Sequence, residues 1–271
     1  MTEVKSDITE IDQQASGDVT DTWGKSNAAS SHRLKQVGYN FLFILSAAKM
    51  DHSDCDCFVL AVLSHGEMGI LYSKDSPYKP DSLWSPFTAD KCPTLAGKPK
   101  LFFLQACQGD KLDGGITLRR TEVDGGEMAY KIPVHADFLI AYSTVPDLIG
   151  FRACQGDKLD GGITLRRTEV DGGEMAYKIP VHADFLIAYS TVPGYYSWRN
   201  TTNGSWFMQA LCCELQDKGF TTDILTLLTF VIQRVALDFE SNTPGNYIMH
   251  QQKQIPCVTT MLTRLLQFTK K

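Results

Sequence analysis

Hydrophobic positions along this chain fall into short uninterrupted runs separated by polar, glycine-containing turns. CFVLAVL (57–63) is apolar throughout and gives way to Ser64-His65-Gly66. KPKLFFLQ (98–105) is a second run, ending just before Cys107. ADFLIAYST is a third, at 136–144 and again at 183–191. Apolar runs of this length, closed by turn signals, read as strands buried on both faces. Strands are therefore expected near 57–63, 99–105 and 184–191. YNFLFILSAA (39–48) is as apolar, but its flanks decide for neither strand nor helix.

Further along, the period changes. GSWFMQALCCELQDKG places Trp206, Phe207, Ala210, Leu211 and Leu215 at helical spacing, with Ser205 as N-cap and Gly219 as stop. TTDILTLLTFVIQRVALDFES opens on a Thr222/Asp223 cap signal and keeps helical spacing to about Phe239. CVTTMLTRLLQF (257–268) alternates loosely and is β-branched early, so a terminal strand is expected over 258–267. Strands interleaved with helices predict an α/β fold, a mostly parallel central sheet with helices on both faces in three layers. Residues 1–32 are polar, weakly periodic and rich in Ser, Thr and Asp, which reads as a disordered tail.

A repeat dominates this map. Ala106–Pro146 and Ala153–Pro193 are identical, at an offset of 47 residues. Solenoid units diverge while keeping their period; here there is no divergence and no third copy, which reads either as a recent segmental duplication or as an error in assembling the sequence. Only one copy of ADFLIAYST can fill a given sheet position. The copy at 183–191 runs directly into GYYSWRN, so it is expected in the sheet, with 136–144 displaced as an extra strand outside it.

Composition narrows the function classes. The formal net charge is −5, and the clearest basic cluster, Arg119-Arg120 with its duplicate Arg166-Arg167, is too small for a nucleic-acid footprint. The N-terminal residues are acidic and polar, unlike a signal peptide. The apolar run Phe41–Leu45 is far too short to span a bilayer. Eight cysteines lack both the spacing of a secreted disulfide framework and a CxxC pair. The expectation is a soluble cytoplasmic protein, with no membrane or nucleic-acid partner and no metal or cofactor.

His65 and Cys107 each follow an apolar strand. Neighbouring parallel strands bring their C-terminal ends to one sheet edge, where α/β active sites gather. A cysteine and a histidine there form a nucleophile and proton-transfer pair. The same residues also fit a locally bonded turn histidine and a buried thiol.

Longer stretches favour the first reading. QACQG (105–109), with a histidine 42 residues upstream of its cysteine, resembles the caspase signature. SHGEMG, ADKCPTLAGKPKLFFLQACQGD, IPVHADFLIAYSTVPGYYSWRNTTNGSWFMQAL and MLTRLLQF resemble the executioner caspases in the same order, from about Met50 to Phe268. The resemblance implies a cysteine endopeptidase that cuts after aspartate, executes apoptosis and is made as a zymogen. Carried over by position, Cys107 is the nucleophile, and His65 protonates the leaving amine. The N–H groups of Gly66 and Cys107 form the oxyanion hole. Gln105 and Arg199 hold the P1 aspartate; Tyr196, Ser197 and Trp198 line the site around P1 and P2; Asn200 and Trp206 belong to P4. Cys154, preceded by DLIGFR with Arg152 where Gln105 would stand, is expected to be a passenger.

The resemblance also implies zymogen cutting between subunits after aspartate, in TEVDGG. The duplication supplies that site twice, at Asp124 and Asp171. The expected organisation is a polar and atypical segment at 1–48, followed by a catalytic domain at 49–271. That domain divides into a large-subunit part at 49–124, an insert at 125–171 and a small-subunit part at 172–271. The implied assembly is a homodimer of processed heterodimers joined through the C-terminal strand. Inhibitor-of-apoptosis proteins and initiator caspases are its implied partners, beside substrates with aspartate at P1. One departure stands out. The family's Arg-x-Gly-Thr segment, whose arginine completes the P1 pocket, is absent, and the large subunit is expected to be truncated at its start. That departure leaves a second reading, a catalytically impaired homologue acting as a binding or decoy subunit.

Overall fold

The computed structural model describes residues 2–5, 40–73, 76–121, 127–141, 159–168, 174–200 and 202–269. In chain order the elements are β1 (Thr2–Lys5), α1 (Asn40–Ala48), β2 (Phe58–Leu63), β3 (Gly66–Glu67), β4 (Ile70–Tyr72), β5 (Pro77–Tyr78) and β6 (Lys100–Gln105). Four strands of two hairpins follow: β7 (Ile116–Thr121), β8 (Glu127–Ile132), β9 (Ile163–Thr168) and β10 (Glu174–Ile179). The chain closes with β11 (Phe185–Tyr189), β12 (Arg199–Asn200), β13 (Gly204–Ser205), α2 (Trp206–Lys218), α3 (Ile224–Asp238) and β14 (Cys257–Thr260).

The central sheet has the order β1-β2-β6-β11-β14. The first four strands are parallel, and β14 runs antiparallel to β11. Side chains alternate across it with a period of two, as the pleat requires. Phe58, Leu60, Val62, Phe102, Leu104, Phe185, Ile187 and Tyr189 join one core with Ile44 and Ala47 of α1 and with Leu83, Trp84, Phe87 and Leu95 from short 3-10 turns. Ala61, Leu101, Phe103, Leu186 and Ala188 face the other way, onto Phe207, Ala210 and Leu211 of α2 and Ile224, Leu227, Leu228, Val231 and Val235 of α3. Both faces are covered, which is why the strand sequences read as continuous apolar runs. Phe102 sits at the middle, its ring 5.9 to 6.1 Å from those of Phe58, Trp84, Phe87 and Phe185.

Several sequence expectations are corrected by packing. Asn40–Ala48, for which the flanks decided neither strand nor helix, is a helix, because Phe43, Ile44, Ala47 and Ala48 all turn toward the core at helical spacing. Thr2–Lys5, placed in the polar tail, instead forms an edge strand parallel to β2. At the other edge β14 stops at Thr260, well short of the strand expected to 267. There Asp184 Oδ1 accepts hydrogen bonds from Thr263 N (3.1 Å) and Oγ1 (2.6 Å), which draws the chain off the strand path. Leu262, Leu266 and Phe268 then fold back onto the α2/α3 core, and Ile224 N donates to Leu266 O (2.7 Å). The helix limits agree with the sequence: Ser205 and Gly219 flank α2, and the Asp223 carboxylate caps α3 by accepting from Leu225 N and Thr226 N.

The hairpins of the two copies fold alike. β7 pairs with β8 and β9 with β10 in the same antiparallel register, from Ile116↔Ile132 to Thr121↔Glu127 and from Ile163↔Ile179 to Thr168↔Glu174. Asp113 closes the first hairpin by accepting from Gly115 N and Val134 N, and Asp160 closes the second through Gly162 N and Val181 N. Their surroundings differ. β11 of the second copy enters the sheet. In the first copy residues 138–141 are coil rather than an extra strand, with Phe138, Leu139 and Ile140 exposed; residues 142–144 lie outside the described residues.

Candidate functional site

The C-terminal ends of β2 and β6 build the site. Leu63 lies opposite Gln105, and Ser64 N donates to Gln105 O (2.9 Å), so the two chains leave the sheet at the same level. His65 and Cys107 both follow two residues later. At Gly66 an added Cβ would lie 2.5 Å from Cys107 O and 3.1 Å from Ala106 Cβ, so only glycine lets the two backbones approach this closely. His65 is exposed, and its carbonyl accepts from Tyr72 N (3.0 Å), which anchors the turn onto β4.

Cys107 is half-buried. Ser197 N donates to its Sγ at 3.4 Å, and the Sγ in turn lies 3.7 Å from Ser197 O as a donor. Burial pushes the thiol above its ordinary value, and the Ser197 N–H partly offsets that. Burial thus favours the thiol over the thiolate, and a base beside it is what makes it a nucleophile.

Beneath the sulfur runs a buried polar chain. Gln105 Nε2 donates to Ser197 Oγ (2.7 Å), Ser197 Oγ to Ser190 Oγ (2.8 Å), and Ser190 Oγ to Ala106 O (3.1 Å). Gln105 Oε1, also buried, has no partner. Beyond Cys107, Gln108 and Lys111 exchange backbone hydrogen bonds with Gly194, Tyr195 and Tyr196. A Cβ at Gly109 would meet the Gly194 backbone at 2.4 Å, so glycine is again required where the strands cross. This ladder sets the 194–200 segment beside the thiol.

The rings of Tyr196, Trp198, Trp206 and Phe239 form a continuous wall, with successive centroids 5.2, 5.7 and 5.5 Å apart. Arg199 and Asn200 are exposed in the two-residue ladder of β12 with β13. Asn200 Oδ1 accepts from Thr202 N and Asn203 N and so shapes that turn. The structure thus gathers His65, Gly66, Gln105, Cys107 and Tyr196–Asn200, with Trp206, at one sheet edge. Cys154, Arg152, Asp124 and Asp171 lie outside the described residues. Sequence reasoning missed Ser190, Phe239 and Gln254. Ser190, directly after β11, had a positional signal; the other two arrive from distant segments and had none. Among the described residues no group of His, Cys, Asp and Glu is arranged to hold a metal, and no helix is long and apolar enough to cross a membrane.

Comparison with known proteins agrees with this geometry. The caspase domain model matches twice, over residues 44–152 and 146–267, the two matches meeting at the junction between the two copies of the repeat. "Caspase-1" of Spodoptera frugiperda is 58% identical over 230 residues, 84% of this chain and 61% of that protein. "Caspase drICE" of Drosophila melanogaster is 56% identical over 228 residues, 83% and 53% respectively. Caspase-3 of Oryctolagus cuniculus is 39% identical over 246 residues, 89% of this chain and 68% of that protein. The chain thus spans between half and two thirds of the length of the first two of these relatives. The crystal structure of caspase-1 from Spodoptera frugiperda superposes with a TM-score of 0.69 at 48% identity, covering 100% of this chain and 90% of that one. With the doubly covered parallel sheet and the matched signature segments in their order, these similarities place the chain in the caspase family.

Proposed function

We propose that this protein is a cysteine endopeptidase that cleaves after aspartate in apoptosis, made as a zymogen and cut at Asp124 and Asp171. The observation that carries this reading is the meeting of the Cys107 thiol with the Ser197 peptide, between Gly66 and Gln105. In the reaction the Cys107 sulfur attacks the scissile carbonyl. The thiol proton passes to His65, which returns one to the leaving amine. The N–H groups of Gly66 and Cys107 receive the oxyanion, where aimed donors act most strongly. Arg199 and Gln105 hold the substrate aspartate through charge-assisted hydrogen bonds. Tyr196, Ser197 and Trp198 bound the neighbouring substrate positions, and Asn200 and Trp206 bound the more distant one.

The active assembly is a cytoplasmic homodimer of processed heterodimers, pairing through the free edge of β14 about a two-fold axis. Initiator caspases and inhibitor-of-apoptosis proteins are its regulatory partners. The test is turnover of an aspartyl peptide by the chain after cutting by an active executioner caspase that is then removed. Cys107→Ala should abolish turnover and Cys154→Ala should leave it intact. Turnover that survives Cys107→Ala, or that ignores replacement of aspartate by asparagine, overturns the reading. No turnover by the wild-type chain favours the non-catalytic binding subunit instead.

A further inference from the structure

We infer that Gln254 is a positioning residue, one that orients the Ser197–Trp198 peptide against the reactive thiol. This rests on the reading of Cys107 as the nucleophile. Gln254 is almost fully buried. Its Oε1 accepts from Trp198 N (2.5 Å), and its Nε2 donates to Ser190 O (2.7 Å). Both amide dipoles are therefore used, in opposite senses, and no rotation of the side chain satisfies both contacts again.

The consequence lies in the peptide plane. Trp198 N and Ser197 O belong to one peptide group, and the described chain has no cis peptide bonds. In a trans peptide the N–H and C=O point to opposite sides. Fixing the Trp198 N–H on Gln254 therefore fixes the Ser197 carbonyl on the other side, and that carbonyl faces Cys107 Sγ at 3.7 Å. The same residue's N–H is the donor at 3.4 Å to the sulfur. The described hydrogen bonds of Gln254 go to Trp198 N and Ser190 O rather than to the sulfur, so it acts through the tilt of the peptide that faces the sulfur.

Gln254 is itself well held. Three residues on, Cys257 begins the pairing of β14 with β11 after Ile255 and Pro256. On the other side Lys253 N donates to Asp113 O (2.7 Å), in the chain that runs on from Cys107. The 253–254 segment thus clasps the Cys107 loop with its backbone and the substrate-side strand with its amide. Ser190 takes part twice, accepting Gln254 through its carbonyl and Ser197 through its hydroxyl. The 190–198 excursion is consequently tied at both ends to the top of β11.

The experiment compares two alkylation rates at Cys107 in the full chain, read by mass spectrometry of the Cys107 peptide. Iodoacetamide reports thiol access and acidity alone. A peptidyl aspartyl chloromethyl ketone also needs the peptide-binding edge in place. Gln254→Met keeps the shape and removes both hydrogen bonds. It should leave the iodoacetamide rate within about twofold and lower the ketone rate about tenfold or more, the scale of one buried hydrogen bond lost from the bound state. Gln254→Glu supplies the rescue. When protonated, its carbonyl accepts from Trp198 N and its hydroxyl donates to Ser190 O; when ionised, it presents acceptors to both. Its ketone rate relative to wild type should therefore recover as pH falls from about 8 to about 5, since burial raises a carboxyl's pKa. Equal loss of both rates in Gln254→Met, an unchanged ketone rate, or no acid recovery in Gln254→Glu overturns the assignment. A wild-type chain that reacts alike with aspartyl and asparaginyl ketones overturns the aspartate reading instead, while the ratio of ketone to iodoacetamide rates still reports on Gln254.

Discussion

Lys100 shows what a single side chain does when the fold gives it no water. It opens β6 with no exposed surface, its ammonium donating to Lys98 O (2.8 Å) and lying 4.7 Å from the centroid of the Phe185 ring. Burial lowers its pKa from the ordinary 10.5 to about 8, although Asp184 pulls the other way. Below pH 8 the folded and unfolded chains both carry the proton, and the buried charge is a constant cost. Between about 8 and 10.5 the unfolded chain still binds a proton that the folded chain has released. Stability therefore rises with pH across that window, by up to about 3 kcal/mol at 1.36 kcal/mol per unit. Urea unfolding of wild type and Lys100→Met at pH 7 and pH 9.5 checks this. The wild-type stability, measured against the variant, should grow toward the higher pH. A flat or falling difference contradicts the buried ammonium.

The site residues divide at this same scale. Cys107, His65 and Gln105 were legible because each ends or follows an apolar run, so sequence order alone puts them at a strand end. Tyr196–Asn200 were legible through the resemblance, not through any period. Phe239 and Gln254 were hidden because nothing local marks them. They reach the site through the end of α3 and the pairing of β14 with β11, contacts made across dozens of residues.

Among the elements, the duplicated strand is the clearest contest between local and non-local forces. ADFLIAYST has the same propensity in both copies, and both are preceded by the same hairpin; Asp137 and Asp184 even share a left-handed backbone, with φ of 63° and 66°. What differs is the sequel. The second copy leads at once into Gly194–Tyr196, which zips to Gln108 and Lys111 beside Cys107. The first is followed in sequence by Asp147-Leu148 instead. Ile187 is buried in the sheet, while its duplicate Ile140 is 62% exposed. Ile187→Asp should therefore destabilise the chain by more than about 3 kcal/mol, the scale of an unpaired buried charge, and Ile140→Asp should change it by less than about 0.5 kcal/mol. Thermal and urea unfolding of both variants decide it; a large loss at Ile140 reverses the order of the copies. The terminal strand taught a different lesson. Its loose alternation over 257–268 carried a strand only to Thr260, because the side chain of Asp184 captures Thr263 and no periodicity records that contact. The Asn40–Ala48 helix went unread for the opposite reason. A segment apolar on most sides fits either period until its neighbours are known.

For the whole molecule, the duplication bears on how the chain would mature. Asp124 falls between β7 and β8, and Asp171 between β9 and β10, two hairpins with one register and one mode of closure. A protease that accepts one site meets the same sequence, flanked by the same pair of strands, at the other. Cutting after both releases residues 125–171, 47 in all and equal to the repeat offset. The released piece takes β8 from the first hairpin and β9 from the second. The two parts that remain keep β7 and β10, which carry the two different strand sequences of a single hairpin. The excision thus leaves the complement of strands that an unduplicated chain would have. After both cuts the fragment is still held by the ladders of β8 with β7 and of β9 with β10. Its described tethers outside the hairpins include Lys131 to Gln251 O (2.6 Å) and a 4.0 Å approach of Lys131 to Glu240, while Phe138, Leu139 and Ile140 stand in solvent. Nor does an uncut insert penalise folding strongly, since loop closure costs only about 0.6 kcal/mol per doubling of length. An active executioner caspase added in trans should therefore cut twice at comparable rates. Mass spectrometry should show fragments 1–124 and 172–271 and a free peptide 125–171. A single persistent cut, leaving 125–271 or 1–171 intact under conditions that process an ordinary caspase zymogen, would show that the two hairpins are not equivalent to a protease.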